Sequence, residues 1–201
     1  LAFIGHDAGH RQLFRSRRAN DLVGLAHANL LVGVSFDWWV DKHNAHHTNP
    51  NHEDLDPDIS ITALAFTADQ ASSKHGLIRL IARYQAWLFF PLLLLEAAHL
   101  HLASINAIIR GRGRANTIQG LLLAAHVAAY VTALVWVLSP LQAIAFVIVQ
   151  QGLFGLYLGC SFAPNHKGMP TLTDAEQLDF LRRQVLTSRN VGGSRLVDFV
   201  L

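Results

Sequence analysis

The sequence contains a single cysteine, Cys160, among 201 residues. An internal disulfide is therefore excluded within these residues, and so is a zinc site built on several cysteine thiolates. Charged residues are also scarce, at 15% of the chain against 51% hydrophobic residues. This composition is too apolar for an ordinary soluble domain and indicates a protein embedded in a membrane.

The chain also lacks a strong net charge and a translation start. Its formal charge is only +2, and its arginines occur in clusters instead of along one stripe, so we expect no nucleic-acid partner. The only methionine is Met169, and both ends are apolar. We therefore expect residues 1–201 to be one domain that is truncated at both ends.

Histidine, by contrast, is abundant, and five of the twelve histidines fall into two short clusters. His43, His46 and His47 stand at i, i+3 and i+4. His6 and His10 stand at i and i+4. On a helix, each spacing places the imidazoles on one face, as in a metal site. The alternative, polar residues at helix ends near a membrane surface, is disfavoured by the presence of both HxxxH and HxxHH in one chain.

Two apolar segments are each long enough to cross a hydrocarbon core of roughly 30 Å at about 1.5 Å per residue. They are residues 118–138 and 141–162, with only Ser139-Pro140 between them, so they predict a transmembrane hairpin. Basic residues flank this hairpin and place both of its ends in the cytoplasm; they are Arg110, Arg112, Arg114, Lys167, Arg182 and Arg183. His166 then follows the hairpin on the cytoplasmic side.

The remaining segments predict shorter helices. Residues 87–109 are apolar but carry Glu96, and we expect them to be interfacial or membrane-embedded. Residues 22–36 are too short to span and predict a re-entrant or interfacial helix. In residues 170–190, Thr173 and Glu176 predict a capping box at the start of a soluble helix. The expected fold is an all-α integral membrane protein with a transmembrane hairpin and cytoplasmic histidine-bearing helices.

The number of histidines favours two metal ions. With His166, six imidazoles are available, whereas one zinc ion needs only three or four ligands. Imidazole alone does not select the metal, but a membrane setting indicates a lipid-like substrate, and oxygen chemistry on such a substrate favours iron. A hydrolytic zinc enzyme is disfavoured because neither cluster contains the glutamate of an HExxH motif.

Three stretches of the chain repeat a pattern known from one enzyme family. The first is Gly5-His6-Asp7-x-x-His10, followed by Phe14 and Asn20. The second is Trp39-x3-His43-Asn44-x-His46-His47, followed by Asn49 and Asp56-Pro57-Asp58, and the third is Asn165-His166. Together they resemble the first histidine box, the second histidine box and the extra histidine position of the membrane fatty-acid desaturases. The third box of that family is absent, and we expect the truncation to fall just before it.

The resemblance implies a non-haem diiron centre at the cytoplasmic edge of the membrane. It assigns the iron ligands as His6, His10, His43, His46, His47 and His166. The neighbouring Asp7, Asn44, Asp56, Asp58 and Asn165 would orient these ligands through hydrogen bonds. Two alternatives stay open: Asp56 and Asp58 as helix caps in a solvated loop, and Asn165 as a turn former. Trp38 and Trp39 would line an acyl tunnel or pack at the interface.

The implied activity is the O2-dependent introduction of a C=C bond into a fatty acyl chain, in lipid metabolism. The implied partners are a fatty acyl-CoA or acyl-lipid substrate, membrane lipid, and an electron donor such as a ferredoxin or cytochrome b5 with its reductase. A diiron hydroxylase of acyl chains, alkanes or carotenoids is an alternative, because the boxes do not distinguish the two reactions. A second alternative is a non-redox metal-binding membrane protein. Without the third box, the 201 residues by themselves are expected to be inactive.

Overall fold

The computed structural model describes residues 2–195 and residue 197, and these residues are helical without a β-sheet. The predicted all-α fold is confirmed, while the predicted domain limits at residues 1 and 201 lie outside the described residues. The helices are α1 Ala2–Gly9, α2 Arg17–Leu25, a π-helix Ala26–Val32, α3 Phe36–Thr48, α4 Ala68–Ser73, α5 Gly76–Arg83, α6 Gln85–Leu93, α7 Glu96–Arg110, α8 Arg114–Val137, α9 Pro140–His166 and α10 Phe180–Thr187.

Two of these helices, α8 and α9, are long and apolar enough to cross a membrane. They overlap the predicted spans 118–138 and 141–162 and extend α9 up to His166. Large apolar side chains along them are exposed, among them Trp136 at 84% and Leu141 at 77%, as expected for surfaces that face lipid. The predicted segment 87–109 is instead two helices, α6 and α7, which qualify as a third span only as a bent pair.

The chain divides into two compact units, residues 1–41 with 97–151 and residues 42–96 with 152–201. In the first unit, a buried polar network fixes the start of α3. The Asn29 side-chain amide donates to Gln119, and Asn29 Oδ1 accepts the Phe36 N–H at 3.1 Å. Gln119 in turn accepts the Asp37 N–H at 3.1 Å and donates to the Asp37 carboxylate at 2.6 Å. These bonds satisfy N–H groups that the first turn of a helix leaves unpaired.

The π-helix of the first unit is followed directly by Gly33, which has a left-handed φ of +84°. Two imidazoles hold this end of the helix. The Nδ1–H of His126 donates to the Leu30 carbonyl at 2.9 Å, and that of His101 donates to the Gly33 carbonyl at 2.8 Å. A Cβ on Gly33 would lie only 2.6 Å from the His126 ring. This position therefore needs glycine for both its backbone conformation and its packing.

We expect Gly33→Ala to lower the thermal stability of the protein in detergent more than Gly76→Ala does. Both glycines have a left-handed φ, at +84° and +55°, and alanine costs about 1–2 kcal/mol there. Of the two, Gly33 is also close to another side chain, whereas a Cβ on Gly76 meets nothing within 4 Å. The overlap with His126 adds about 1–3 kcal/mol. Equal melting temperatures for the two variants would show that His126 does not constrain this turn.

In the second unit, α6 packs against glycines of α9. A Cβ on Gly159 would lie 2.4 Å from Leu93, and one on Gly152 would lie 3.6 Å from Leu94. The loop after α3 is tied to the segment after α9, since the Leu172 N–H donates to the Asn51 carbonyl at 2.8 Å. These contacts bring the end of α3 and the end of α9 together.

The predicted helix over residues 170–190 is wrong in its extent, because α10 begins only at Phe180. Asp179 caps α10 by accepting the Arg182 N–H at 2.9 Å. The predicted contact between Thr173 and Glu176 does form, with the Thr173 N–H donating to the Glu176 carboxylate at 2.7 Å. However, it closes a local turn and starts no helix. Side chains that bond to nearby backbone offer the chain an alternative to helix, which explains the difference.

Candidate metal centre

Helix α3 carries the second histidine cluster near its C-terminal end, and the predicted helical spacing is confirmed. His43 and His47 face each other with their Nε2 atoms 3.0 Å apart. The His46 ring lies 5.6 Å from the His47 ring, measured between centroids. His46 is buried, whereas His47 is exposed. The cluster therefore presents one buried and two more accessible imidazoles.

His46 is oriented by the fully buried carboxylate of Asp56. The Nδ1 atom of His46 lies 3.0 Å from both Asp56 oxygens and 3.5 Å from an oxygen of Asp58. Asp58 is held in turn by an ion pair with Lys42. No helix begins at Asp56 or Asp58. Asp56 and Asp58 therefore contact the imidazole of His46, and neither of these described residues caps a helix.

The same loop supplies further hydrogen bonds to Asp56. Its carboxylate accepts the Asn51 N–H at 2.7 Å and the Asp58 N–H at 2.8 Å. Burial by itself raises the pKa of Asp56, but the bonds from His46 and from the two backbone N–H groups outweigh it, and the net pKa is lowered. Burial lowers the pKa of His46, but the Asp56 hydrogen bond and the charge of Asp58 outweigh this and leave it raised. The pair is therefore held as a charge-assisted contact.

His166, the last residue of α9, completes this arrangement. Its Nδ1 atom lies 3.0 Å from the Thr187 carbonyl oxygen, and its Nε2 atom lies 3.3 Å from Nε2 of His46. A carbonyl only accepts hydrogen bonds, so the Nδ1 atom of His166 carries a proton. In the neutral rings, both Nε2 atoms then turn a lone pair toward the same point. A cation at that point, either a proton or a metal, is needed to relieve their repulsion.

The separations of these nitrogen atoms are suitable for metal binding. Two imidazole nitrogens bound at about 2.1 Å and at right angles lie about 3.0 Å apart. The observed values are 3.0 Å for His43 with His47 and 3.3 Å for His46 with His166. Asp56 and the Thr187 carbonyl fix the tautomers of His46 and His166 in the way typical of metal-bound histidines.

The first histidine cluster lies at the end of α1 in the first unit, with His6 in the helix and His10 directly after its last residue. The rings of His6 and His10 are 4.6 Å apart between centroids, and the ring of Trp39 lies 5.6 Å from that of His6. The Nδ1 atom of His6 lies 3.0 Å from an oxygen of Asp7, the residue expected to orient it. Burial lowers the pKa of His10, and the proximity of His6 lowers it further. The two imidazoles thus lie side by side as the spacing predicts, although α1 itself ends at Gly9.

Two predicted site residues, Asn44 and Asn165, form no side-chain hydrogen bond to the histidines in the part of the chain that the structure describes. The side chains of Asn44 and Asn165 make no hydrogen bond among the described residues. Asn44 is exposed, and its carbonyl accepts the Thr48 hydroxyl at 2.8 Å. The carbonyl of Asn165 accepts the Arg189 N–H at 3.0 Å. A role of Trp38 or Trp39 in an acyl tunnel stays a prediction, although Trp39 does pack beside His6.

Asn51, which the sequence did not indicate as a site residue, links the parts of this site. Its buried side-chain amide lies within 3.2 Å of the His166 and Pro170 carbonyls and 3.4 Å of the Thr187 carbonyl. Its backbone N–H donates to Asp56. Asn51 has a left-handed φ of +57°, which asparagine tolerates better than most residues. The Asn-Pro-Asn turn signal after the second cluster was the available clue.

Helix α10 was also missed as a support of the histidine-bearing helix. Arg183 donates to the Thr48 carbonyl at 3.0 Å and to the Asn49 side chain at 2.9 Å. Gln184 donates to the His47 carbonyl at 2.8 Å. These side chains satisfy carbonyls that the end of α3 leaves without helical partners, and the positive charge of Arg183 complements the helix dipole. Residues far along the chain therefore hold the cluster in place.

Next to the site, Lys167 follows His166 directly. Its ammonium group lies 3.8 Å from the centroid of the Phe66 ring and 5.2 Å from that of Phe89. Burial lowers the pKa of Lys167 to about 8. The ammonium is therefore still largely protonated at neutral pH, and it places positive charge close to the end of α9.

The family model for fatty acid desaturases matches residues 1–201. The chain is 32% identical over 124 residues to the Delta(8)-fatty-acid desaturase of Helianthus annuus, covering 56% of this chain and 27% of that protein. It is 30% identical over 136 residues to the Acyl-lipid (9-3)-desaturase of Borago officinalis, covering 60% and 30%. With the Acyl-lipid (9-3)-desaturase of Physcomitrium patens, the identity is 24% over 212 residues, covering 98% and 39%.

The chain spans about a third of the length of these curated relatives. No solved structure matches it. The family match extends over the whole sequence and includes both histidine clusters. The chain therefore belongs to the fatty acid desaturase family, and its histidine clusters agree with the presence of a metal site in it.

Proposed function

We propose that the protein is an integral membrane fatty acyl desaturase that uses O2 and two non-haem irons. The observation that carries this proposal is the pair formed by His46 and His166. Their Nε2 atoms converge at 3.3 Å, while Asp56 and the Thr187 carbonyl hold their Nδ1 atoms. With their Nδ1 atoms held in this way, both rings direct the lone pair of Nε2 toward one point, as metal-bound histidines do.

His43, His46, His47 and His166 are the proposed iron ligands in the second unit. By the family resemblance, His6 and His10 complete the set, and this part stays a prediction. The proposed orienting residues are Asp56 and Asp58 on His46 and Asp7 on His6. An orienting role of Asn44 and Asn165 stays a prediction from the family resemblance.

When bound, iron supplies the activation of O2 and the removal of hydrogen from an unreactive CH2–CH2 pair. The acyl chain loses two hydrogens and gains a C=C bond. One O2, two electrons and two protons from a reduced donor, together with these two hydrogens, give two molecules of water. The protein's own part is to hold the imidazole tautomers through Asp56 and Thr187 and to fix the end of α3 through Arg183 and Gln184.

We further propose an acyl-lipid or acyl-CoA substrate, an electron donor of the ferredoxin or cytochrome b5 type, and a site that faces the cytoplasm. The names of the relatives, acyl-lipid and fatty-acid desaturases, support the acyl substrate. The basic residues that flank α8 and α9 support the orientation. The exposed Arg15, Arg17 and Arg18 offer positive charge for lipid head groups or for an acidic donor.

Expression of the complete gene in a host that lacks the activity tests this function. The fatty acids are analysed by gas chromatography with mass spectrometry, with His46→Ala as the negative control and His75→Ala as a matched variant. His75 is exposed and lies outside both clusters. We expect a new unsaturated acid with the wild type and His75→Ala, and none with His46→Ala. A hydroxylated acid would indicate the sister reaction, and a protein that binds zinc but no iron would contradict both reactions.

A further inference from the structure

An open pocket with cationic side chains lies beyond the end of α9. Its cavity volume is about 340 Å³. The pocket is lined by Pro164, Lys167, Arg189, Asn190, Val191 and Gly192. Two of these side chains are cations, one is an amide, and no carboxylate lines it among the described residues. The electrostatics of such a pocket favour an anionic ligand.

The ammonium of Lys167 is held in place with no counterion among the described residues. It lies over the faces of Phe66 and Phe89, at 3.8 Å and 5.2 Å from their centroids, so cation–π attraction fixes its position. The ion pairs that the described lysines and arginines form involve Lys42, Arg17 and Arg182, and neither Lys167 nor Arg189. A partly buried cation without an anion is costly, and an anionic ligand would remove this cost.

Arg189 is positioned by its backbone. Its N–H donates to the Asn165 carbonyl at 3.0 Å. Its Nη2 atom lies 3.2 Å from where a Cβ of Gly168 would stand, and Gly168 has a left-handed φ of +77°. Glycine at position 168 therefore lets the guanidinium come close to the backbone. A guanidinium offers two parallel N–H groups that match two phosphate oxygens, and an ammonium adds a point charge.

The location of the pocket along the chain indicates the source of the anion. Lys167 is the first residue after α9, which is long and apolar enough to span a membrane. A residue at the end of a span lies at the depth of the lipid head groups. The same end of α9 carries His166, so the pocket adjoins the candidate metal centre.

We propose that Lys167 and Arg189 bind the phosphate group of the acyl carrier, so that the substrate is a phosphate-bearing acyl compound. This proposal rests on the proposed function, in which an acyl chain is the substrate. Acyl-CoA and phospholipid share the phosphate chemistry and are the two sources to be distinguished. Bulk membrane lipid differs from both, because it would interact equally with any cation at the end of a span.

Equilibrium binding to the purified protein, produced from the complete gene in detergent, tests the proposal without turnover. The phosphate-bearing probes are radiolabelled oleoyl-CoA and dioleoylphosphatidylcholine. The phosphate-free probes are methyl oleate and dioleoylglycerol. The variants are Lys167→Gln and Arg189→Gln, and the matched control is Arg112→Gln, which removes an exposed cation before α8 and outside the pocket. Arg189 is exposed, so its variant keeps the test valid if Lys167→Gln does not fold.

We expect Lys167→Gln and Arg189→Gln to weaken binding of one phosphate-bearing probe at least about tenfold, as for a lost charge-assisted contact. The phosphate-free probes and Arg112→Gln should show no change. The probe that is affected identifies the carrier as coenzyme A or phospholipid. The proposal is overturned if the wild type binds neither phosphate-bearing probe, if the variants bind both as the wild type does, or if Arg112→Gln has the same effect. Since no product is measured, these results do not depend on whether the enzyme desaturates.

Discussion

Replacing His46 with alanine is expected to reduce bound iron and to lower product formation more than about 100-fold. Mutating a residue that only hydrogen-bonds to a metal ligand lowers metal affinity or activity by roughly 10–100-fold, and we expect the loss of a ligand itself to have a larger effect. His46 is 7% exposed and lies between Asp56 and His166. Its removal takes away one of two converging nitrogen donors. Iron per protein is measured by inductively coupled plasma mass spectrometry and product by gas chromatography.

The alanine variant also leaves the buried Asp56 carboxylate without its imidazole partner, which destabilises the protein by about 1–3 kcal/mol. His46→Gln separates this effect from ligand loss. Its amide can donate to Asp56 but offers no imidazole nitrogen toward His166. We expect the melting temperature of His46→Gln to be closer to that of the wild type than the melting temperature of His46→Ala is. We expect both variants to bind equally little iron. His75→Ala should keep both iron and activity. Full iron content and activity in His46→Ala would contradict the proposed role of this residue.

Replacing Asp56 with asparagine is expected to weaken iron binding about 10–100-fold, because the tautomer and the orientation of His46 are then less well fixed. The carboxylate accepts bonds from His46, from the Asn51 N–H and from the Asp58 N–H. An asparagine offers one oxygen, and its NH2 group faces a donor, so one buried N–H loses its acceptor. This loss adds about 1–3 kcal/mol of destabilisation.

The pH dependence of stability gives a second measure of Asp56. Its pKa is lowered in the folded protein. Its stabilisation is therefore fully present above the ordinary aspartate pKa of about 3.9 and is lost as the pH falls through the lowered pKa. As the pH is lowered through this acid range, we expect the melting temperature of the metal-free Asp56→Asn protein to fall less than that of the metal-free wild type. Asp54→Asn, an exposed residue of the same loop, is the control. It should match the wild type in iron binding and in pH dependence, and wild-type behaviour of Asp56→Asn would refute the orienting role.

The sequence predicted those features that depend on neighbours within a few positions. The spacing of His43, His46 and His47 predicted a shared face, and α3 provides it. The length of the apolar runs predicted two long helices, found as α8 and α9. Local polar signals were less reliable. The Thr173–Glu176 contact formed a turn instead of the start of a helix, and no pattern indicated the π-helix or the break between α6 and α7.

Some features of the protein thus follow from its sequence, and others depend on its tertiary structure. The sequence by itself determined the helical class, the apolar segments and the imidazole-rich faces, because helix periodicity and hydropathy are local properties of the chain. Only the tertiary structure decided what holds those imidazoles. His46 meets His166 across 120 positions of sequence, and Asn51 meets the Thr187 carbonyl across 136. Such pairs form because buried polar groups must find partners wherever packing brings them together, and sequence spacing does not encode which partner that will be.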